Sequence, residues 1–197
     1  PTPPESLTQT SHQQEALMPE AVSQPLQINQ CGVRLTKGDL TDLDVDAFVF
    51  YAQNDLALGS GSGTAISVRG GPPVQRELEG LEPVATGEAV ATAGGGLKAG
   101  MIIHAVGPKF REDDIEGKLR TTMRNALELA EEKGVRRIAF PAMGAGYYGI
   151  APDVCARVML DAIQTHLQGE SRLEELIICV LDTRQYEAFR AQLATLS

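Results

Sequence analysis

A chain of 197 residues, 43% hydrophobic and 22% charged, has the size and composition of one ordinary globular domain and leaves little room for a second. Its formal net charge of -9 repels a phosphate backbone at long range, so general nucleic-acid binding is not expected. No apolar run approaches the roughly 20 residues of a membrane span, and the start lacks the basic-then-apolar layout of a signal peptide, so the expectation is a cytoplasmic protein with no membrane contact.

Residues 1–24 are rich in Pro, Gln, Ser, Thr and Glu, with few sizeable apolar residues at irregular spacing. Such a segment cannot bury enough to offset the ordering of its backbone, so it reads as a disordered leader or linker, with the folded domain over 25–197. Short apolar runs and helical patterns then alternate, which predicts parallel strands joined by crossover helices. Leu26–Ile28 and Cys31–Leu35 read as a hairpin, and Val45–Ala52 as a buried strand. Strands are expected next at Glu88–Ala93, Met101–Val106, Arg137–Phe140 and Leu176–Leu181. Ile115, Leu119, Met123, Ala126, Leu127 and Ala130 share one helical stripe, and Gly134 is placed to end that helix in a left-handed cap. Pro152 suits the first turn of a helix with Val154, Val158, Ala162 and Ile163 inward. A last helix begins near Thr183, inward on Tyr186, Phe189 and Leu193. The fold class is therefore α/β, and no internal repeat is visible.

Two glycine-rich loops, Gly59-Ser60-Gly61-Ser62-Gly63-Thr64 and Gly144-Ala145-Gly146-Tyr147-Tyr148-Gly149, each follow an expected strand and precede a helix. That places both at the carboxyl ends of parallel strands, where open α/β sheets bind ligands and where backbone N–H groups can hold a phosphate without any Lys or Arg. Either loop alone could be only a tight turn; two at equivalent positions favour a ligand. A dinucleotide-binding Rossmann unit does not fit, because Gln53–Leu58 separates strand from glycines and no acidic residue ends a strand about 20 residues on. A P-loop is excluded by the absence of Gly-Lys-Ser or Gly-Lys-Thr. Cys31, Cys155 and Cys179 lie far apart with no metal-ligand spacing, so free buried thiols are expected, with neither metal nor cofactor.

Lys37-Gly38-Asp39-Leu40-Thr41, Val45-Asp46-Ala47 with its strand, and the loop ending Gly63-Thr64-Ala65-Ile66 resemble the opening of a macrodomain. Thr86-Gly87-Glu88-Ala89, His104-Ala105-Val106-Gly107-Pro108 and Ile138-Ala139-Phe140-Pro141-Ala142 continue the pattern in order, and together they span Leu26–Leu196. The resemblance implies a three-layer α/β/α sandwich around a mixed, mostly parallel sheet, and a ligand that is ADP-ribose or a related adenine nucleotide, free or carried on an ADP-ribosylated protein. Asp39, with Leu40, matches the acid that accepts the adenine amino group, a reading that competes with Asp39 as a turn cap. Ala52, Gln53 and Gly61, Ser62, Gly63, Thr64, Ala65 and Ile66 match the strand end, loop and helix start around the diphosphate. Pro141, Gly144, Ala145, Gly146, Tyr147 and Tyr148 match the opposing loop, Tyr148 flanking the distal ribose. Leu181 falls where relatives often place an aromatic beside adenine.

The departures concern catalysis. Hydrolytic relatives carry asparagines where this chain reads Phe50-Tyr51-Ala52-Gln53, an acid where it has Gly63, and in some cases a histidine at Ser67. No lysine occurs between Lys37 and Lys98, so a lysine nucleophile is also missing. Without a carboxylate the obvious general base is gone, and the motifs favour binding over turnover with no catalytic residue assigned. Two alternatives stay open: a hydrolase of ADP-ribosyl esters, O-acetyl-ADP-ribose or ADP-ribose 1''-phosphate, and an interaction module that has lost the ligand. His104 reads as a core histidine, His166 as a cation near a helix end, Asp182 as a helix cap, and Arg111-Glu112-Asp113-Asp114 as a solvated loop.

Overall fold

The computed structural model describes residues 24–196, so the leader expected over 1–24 lies, apart from Gln24, outside the described residues. Strands β1 (Leu26–Ile28), β2 (Cys31–Lys37), β3 (Ala47–Ala52), β4 (Ala89–Ala93), β5 (Met101–Val106), β6 (Arg137–Phe140) and β7 (Glu175–Val180) form one sheet of order β1-β2-β7-β6-β3-β5-β4. The five strands from β2 to β5 in that order run parallel, while β1 and β4 are antiparallel edges. The β1–β2 hairpin closes with Ile28 opposite Cys31, and Asn29 supplies a positive φ of 51° that a two-residue turn requires. A reading of Glu88–Ala93 as one more parallel strand gives way to an antiparallel edge, because the turn from Ala93 to Met101 is too short for a crossover helix.

The continuous apolar strands split by period two onto two buried faces. Ala47, Val49 and Tyr51 of β3 join Ile103, Ile138, Phe140 and Ile178 beneath α3 (Ile115–Glu132), α4 (Pro152–Gln168) and α5 (Thr183–Ala194). Phe48 and Ala52 join Ile102, Ala139 and Ile177 on the opposite face. That face is covered by the short helix α1 (Ser62–Ala65), the π-helical turn Ile66–Gly70 that continues it, and α2 (Pro72–Glu79). The result is the three-layer α/β/α sandwich. Helix α2 has no counterpart in the sequence reading: only Val74 and Leu78 are buried, a single i,i+4 pair, too little periodicity to register.

The expected helix signals operate locally. Gly134, with φ of 74°, follows the end of α3, and Pro152 opens α4. Asp182 caps α5 by accepting the Gln185 N–H at 2.8 Å. The acidic run after Phe110 is less solvated than expected, since Asp114 caps α3 by accepting the Gly117 N–H and Glu112 pairs with Lys118. His166 does more than face a helix terminus: its Nε2 lies 3.1 Å from the Glu131 carboxylate.

His104 sits fully buried in β5, its Nε2 2.9 Å from the Thr92 hydroxyl, while Nδ1 has no hydrogen-bond partner. Burial lowers its pKa from 6.5 to about 4. Between those values the unfolded chain binds a proton that the folded chain refuses, so this histidine's contribution to stability is complete above about pH 6.5 and is lost as pH falls toward 4. Denaturant unfolding at pH 7 and pH 5 should show a loss of about 2 kcal/mol from this group. The difference between the two pH values should shrink by that amount in His104→Leu, although Thr92 then lacks its partner at both.

Candidate functional site

Strands β3 and β6 lie side by side, yet their crossovers depart in opposite directions, one toward β5 and the other through α4 to β7. This is the switch point of an open α/β sheet, where the two outgoing loops part and leave a crevice beyond the strand ends. The loops in question are the two glycine-rich segments. The ends of β2, β7 and β5 reach the same edge, bringing Gly38–Asp39, Leu181 and Lys109–Phe110 alongside them.

Two openings mark this edge. One, of about 570 Å³, is lined by Lys37, Gly38, Asp39, Gly61, Ser62, Ala65 and Leu181. The other, of about 480 Å³, is lined by Gln53, Lys109, Phe110, Tyr147 and Tyr148. Among the described residues, the N–H groups of Gly61, Ser62, Gly146, Tyr147 and Tyr148 donate to no other group of the chain. Gly59, Gly61, Gly144 and Gly146 all have φ between 62° and 81°, a region side chains avoid and one that turns successive N–H groups outward. A Cβ on Gly146 would meet nothing within 4 Å, so the space above that backbone is open.

Asp39 fills the turn-cap role and also faces the first opening. Its Oδ1 accepts the Thr41 N–H at 2.9 Å and the Thr41 hydroxyl at 2.7 Å, capping a 3-10 turn over Leu40–Asp42. Its Oδ2 lies 3.2 Å from the Arg69 guanidinium and the side chain is half-exposed at the first opening. The Thr41 hydroxyl bond first, then the Thr41 N–H and Arg69, hold this carboxyl below the usual carboxylate range.

At the other opening, Tyr148 stacks at a tilt on Tyr51, ring centroids 4.7 Å apart. The Tyr51 hydroxyl donates to the Pro108 carbonyl, so one buried side chain ties β3, the loop after β5 and the second glycine loop together. Burial raises the Tyr51 pKa and, to a lesser degree, that of Tyr148, keeping both phenols neutral. Tyr147 is 89% exposed and Phe110 60%.

Not every residue named from sequence reaches the crevice. Leu40, Ala52 and Ile66 are buried in the core cluster under the sheet, so any contact they make to a ligand is through backbone. Gly63 is buried as well, and exposed Thr64 turns its hydroxyl to the Gly59 carbonyl at 3.3 Å. Pro141 and Ala145 are half-buried, supporting the second loop. Leu181 is 69% exposed, an aliphatic edge to the first opening where an aromatic would offer a face. Lys37, Gly38, Lys109 and Phe110 line the openings without having been singled out. Their signal was positional, since the first two adjoin Asp39 and the last two follow the Gly107-Pro108 strand end. Asp55 is occupied locally, accepting the Ala57 N–H at 3.0 Å. Among the described residues no cluster of His, Cys, Asp or Glu could hold a metal, and the three cysteines are free and buried.

The Macro domain family model matches residues 51–159. The chain belongs to the macrodomain family. A macro domain-containing protein of Streptomyces coelicolor is 37% identical over 169 residues, covering 82% of this chain and 98% of the relative. One from Streptomyces griseus is 40% identical over 170 residues, covering 82% and 94%. The Oceanobacillus iheyensis macrodomain with ADP superposes with a TM-score of 0.83 at 29% identity, covering 87% of this chain and 95% of that one. The Trypanosoma brucei macrodomain in complex with ADP-ribose gives 0.77 at 29% identity, covering 82% and 68%.

Within this macrodomain Gly63 is required for space rather than for backbone angle: a Cβ there would lie 1.6 Å from the Leu58 carbonyl oxygen. Gly63→Ala should therefore cost more than about 3 kcal/mol, since backbone must move to relieve the overlap. Gly146→Ala, in open space at positive φ, should cost about 1 kcal/mol. Denaturant unfolding of the two variants checks the order, and equal costs would show that the first loop relaxes freely.

Proposed function

We propose that this macrodomain binds ADP-ribose, free or at the end of a modified protein, and acts as a reader with little or no hydrolytic activity. The supporting observation is the pair of outward-turned N–H cradles at the switch point, with Asp39 at one end and Tyr148 at the other. A diphosphate fits between backbone dipoles. The acceptor-only carboxylate suits an adenine amino group, and the Tyr148 ring supplies a wall for a sugar. The solved relatives that hold ADP and ADP-ribose agree with this choice of ligand.

Against turnover stand three features of the distal end. Gly63 leaves no room for the acid that hydrolytic relatives carry, Phe50 packs edge-on to His104, and the Asp55 carboxylate is engaged by its own turn. Together these features favour a site without a positioned general base. We assign residues 25–197 to this domain and place it in the cytoplasm, whose reducing environment suits buried free thiols.

Calorimetry with ADP-ribose should give micromolar affinity, about 8 kcal/mol. Absence of any heat at millimolar ligand would sink the proposal. Asp39→Ala should weaken binding by about 1.5–3 kcal/mol, the cost of stranding the adenine donor. Gly146→Val should abolish it while the fold persists, because a branched side chain would fill the space over the cradle. Incubated with an ADP-ribosylated protein beside a hydrolytic macrodomain, the chain should release ADP-ribose roughly 100-fold to 10,000-fold more slowly, the usual worth of a positioned base. Brisk multiple turnover would make it an enzyme instead.

A further inference from the structure

We infer that Arg69 is a positioning residue that sets base selectivity by fixing the Asp39 carboxylate, an inference that rests on the ADP-ribose reading of the cleft. Arg69 does not line the opening itself. It lies on the π-helical turn behind it, with Nη2 3.2 Å from Asp39 Oδ2 and Nη1 donating to the Thr41 hydroxyl at 3.1 Å. That second bond matters because the Thr41 hydroxyl has one proton. Accepting from Arg69, it directs the proton to Asp39 Oδ1.

The lone pairs can be counted. A carboxylate offers about four acceptor sites. The Thr41 N–H and hydroxyl occupy the two on Oδ1, and the Arg69 guanidinium faces Oδ2 as an ion pair at 3.2 Å. Oδ2 is thus the oxygen left to a ligand, held in a plane set from two sides. Arg69 also lies between two carboxylates, with Asp42 Oδ1 3.7 Å from Nη1 and paired in turn to Lys98 at 3.4 Å. Removing the guanidinium would release the Thr41 rotor, open Oδ2 to water and leave two like charges as neighbours.

The guanidinium's own position is built from the backbone. The Gly96 N–H donates to the Gly70 carbonyl at 3.1 Å, and a Cβ on Gly96 or Gly95 would lie 2.5 Å from the Arg69 carbonyl oxygen or 2.2 Å from that of Gly70. Gly95 and Gly96 thus let the turn after β4 clamp the π-helical turn at a distance closed to any other residue, while Gly94 lies against the Ala99 carbonyl within the same turn. A π-turn held this way at a cleft is a common device for aiming one side chain.

The selectivity at stake is between an amino group and a carbonyl. Adenine presents a donor to the Asp39 oxygen, whereas hypoxanthine presents an acceptor that the carboxylate repels. The test is calorimetry of the full chain with ADP-ribose and with its hypoxanthine counterpart, inosine diphosphate ribose. The parent should prefer ADP-ribose by at least about tenfold, because the carboxylate accepts from an amino group and repels a carbonyl in the same place. Arg69→Ala should weaken ADP-ribose by about five- to tenfold and the hypoxanthine ligand less than about twofold, compressing the ratio. Arg69→Lys, which keeps the charge but loses the two-pronged contact, should recover only part of it. If Arg69→Ala does not fold, Arg69→Lys and Arg69→Gln read the same ratio, and an undiminished ratio in both overturns the inference.

An unchanged ratio in Arg69→Ala overturns it too, whether affinity holds, rises, or falls equally for both ligands as it would from general charge or damage to the fold. A parent that binds both ligands alike overturns this inference and leaves the ADP-ribose reading standing. A parent that binds neither removes both.

Discussion

The arrangement rests on one constraint, that two stretches of backbone approach each other more closely than any side chain permits. At Gly63 the helix start lies against the Leu58 carbonyl, where a Cβ would fall 1.6 Å from the oxygen, whereas at Gly144 a Cβ would meet the tip of the Ile150 side chain at 2.4 Å. Each loop also folds back through its own bonds, Gly63 N–H to Ser60 and Ile150 N–H to Gly144, while the N–H groups of Gly61, Ser62, Gly146, Tyr147 and Tyr148 have no partner among the described residues. The same constraint supports the proposed lack of turnover. A carboxylate at position 63 and a closed loop of this shape are mutually exclusive, and the chain has the closed loop.

Beneath that backbone layer, aromatic packing ties the second loop to the sheet. Tyr51 is buried under Tyr148 and tethered to Pro108, and a Cβ on Gly107 would fall 2.3 Å from its ring. An aromatic pair of this kind contributes about 0.5–1.5 kcal/mol beyond its buried area. Tyr51 thereby makes the second loop part of the core at its distal end. Tyr147 faces outward from the same loop, packed edge-on to Tyr148 at 5.3 Å. The adjacent residues thus divide the work, one ring anchored and one presented.

Much of this was legible in the chain itself. The continuous apolar run Val45–Ala52 and the helical stripe from Leu119 to Ala130 place a strand and a helix correctly, because the strand is buried on both faces and the helix on its inner one. Helix α2 escaped because it buries only two side chains, and the antiparallel sense of β4 because strand direction depends on connection length rather than on residue type. At the site, glycine spacing was enough to locate the loops, since positive φ leaves a compositional trace. What the spacing could not convey was which glycines serve angle and which serve contact: Gly146 belongs to the first kind and Gly63 to the second. Contact is a property of the partner, here Leu58, and a partner five residues away leaves no mark of its own. Arg69 was invisible for the same reason, its meaning depending on Thr41 and Asp39, which are 28 and 30 positions earlier in the chain.

A net charge of -9 and an anion-shaped crevice are compatible because they act over different distances. Charge repulsion between the protein and a polyanion is felt across a Debye length of about 8 Å at physiological salt and falls away beyond it. A cradle of N–H dipoles works only at contact, and N–H groups of both loops have no partner among the described residues. A net charge of this sign raises the cost of bringing many phosphates close at once, while a small dianion meets comparatively little of it. The flanking cations Lys37 and Lys109 stand one at each opening rather than between the loops. Recognition of the proposed kind depends on backbone shape at its centre and on side-chain chemistry at its ends, so the reading gives the glycines and Asp39 different parts of one specificity.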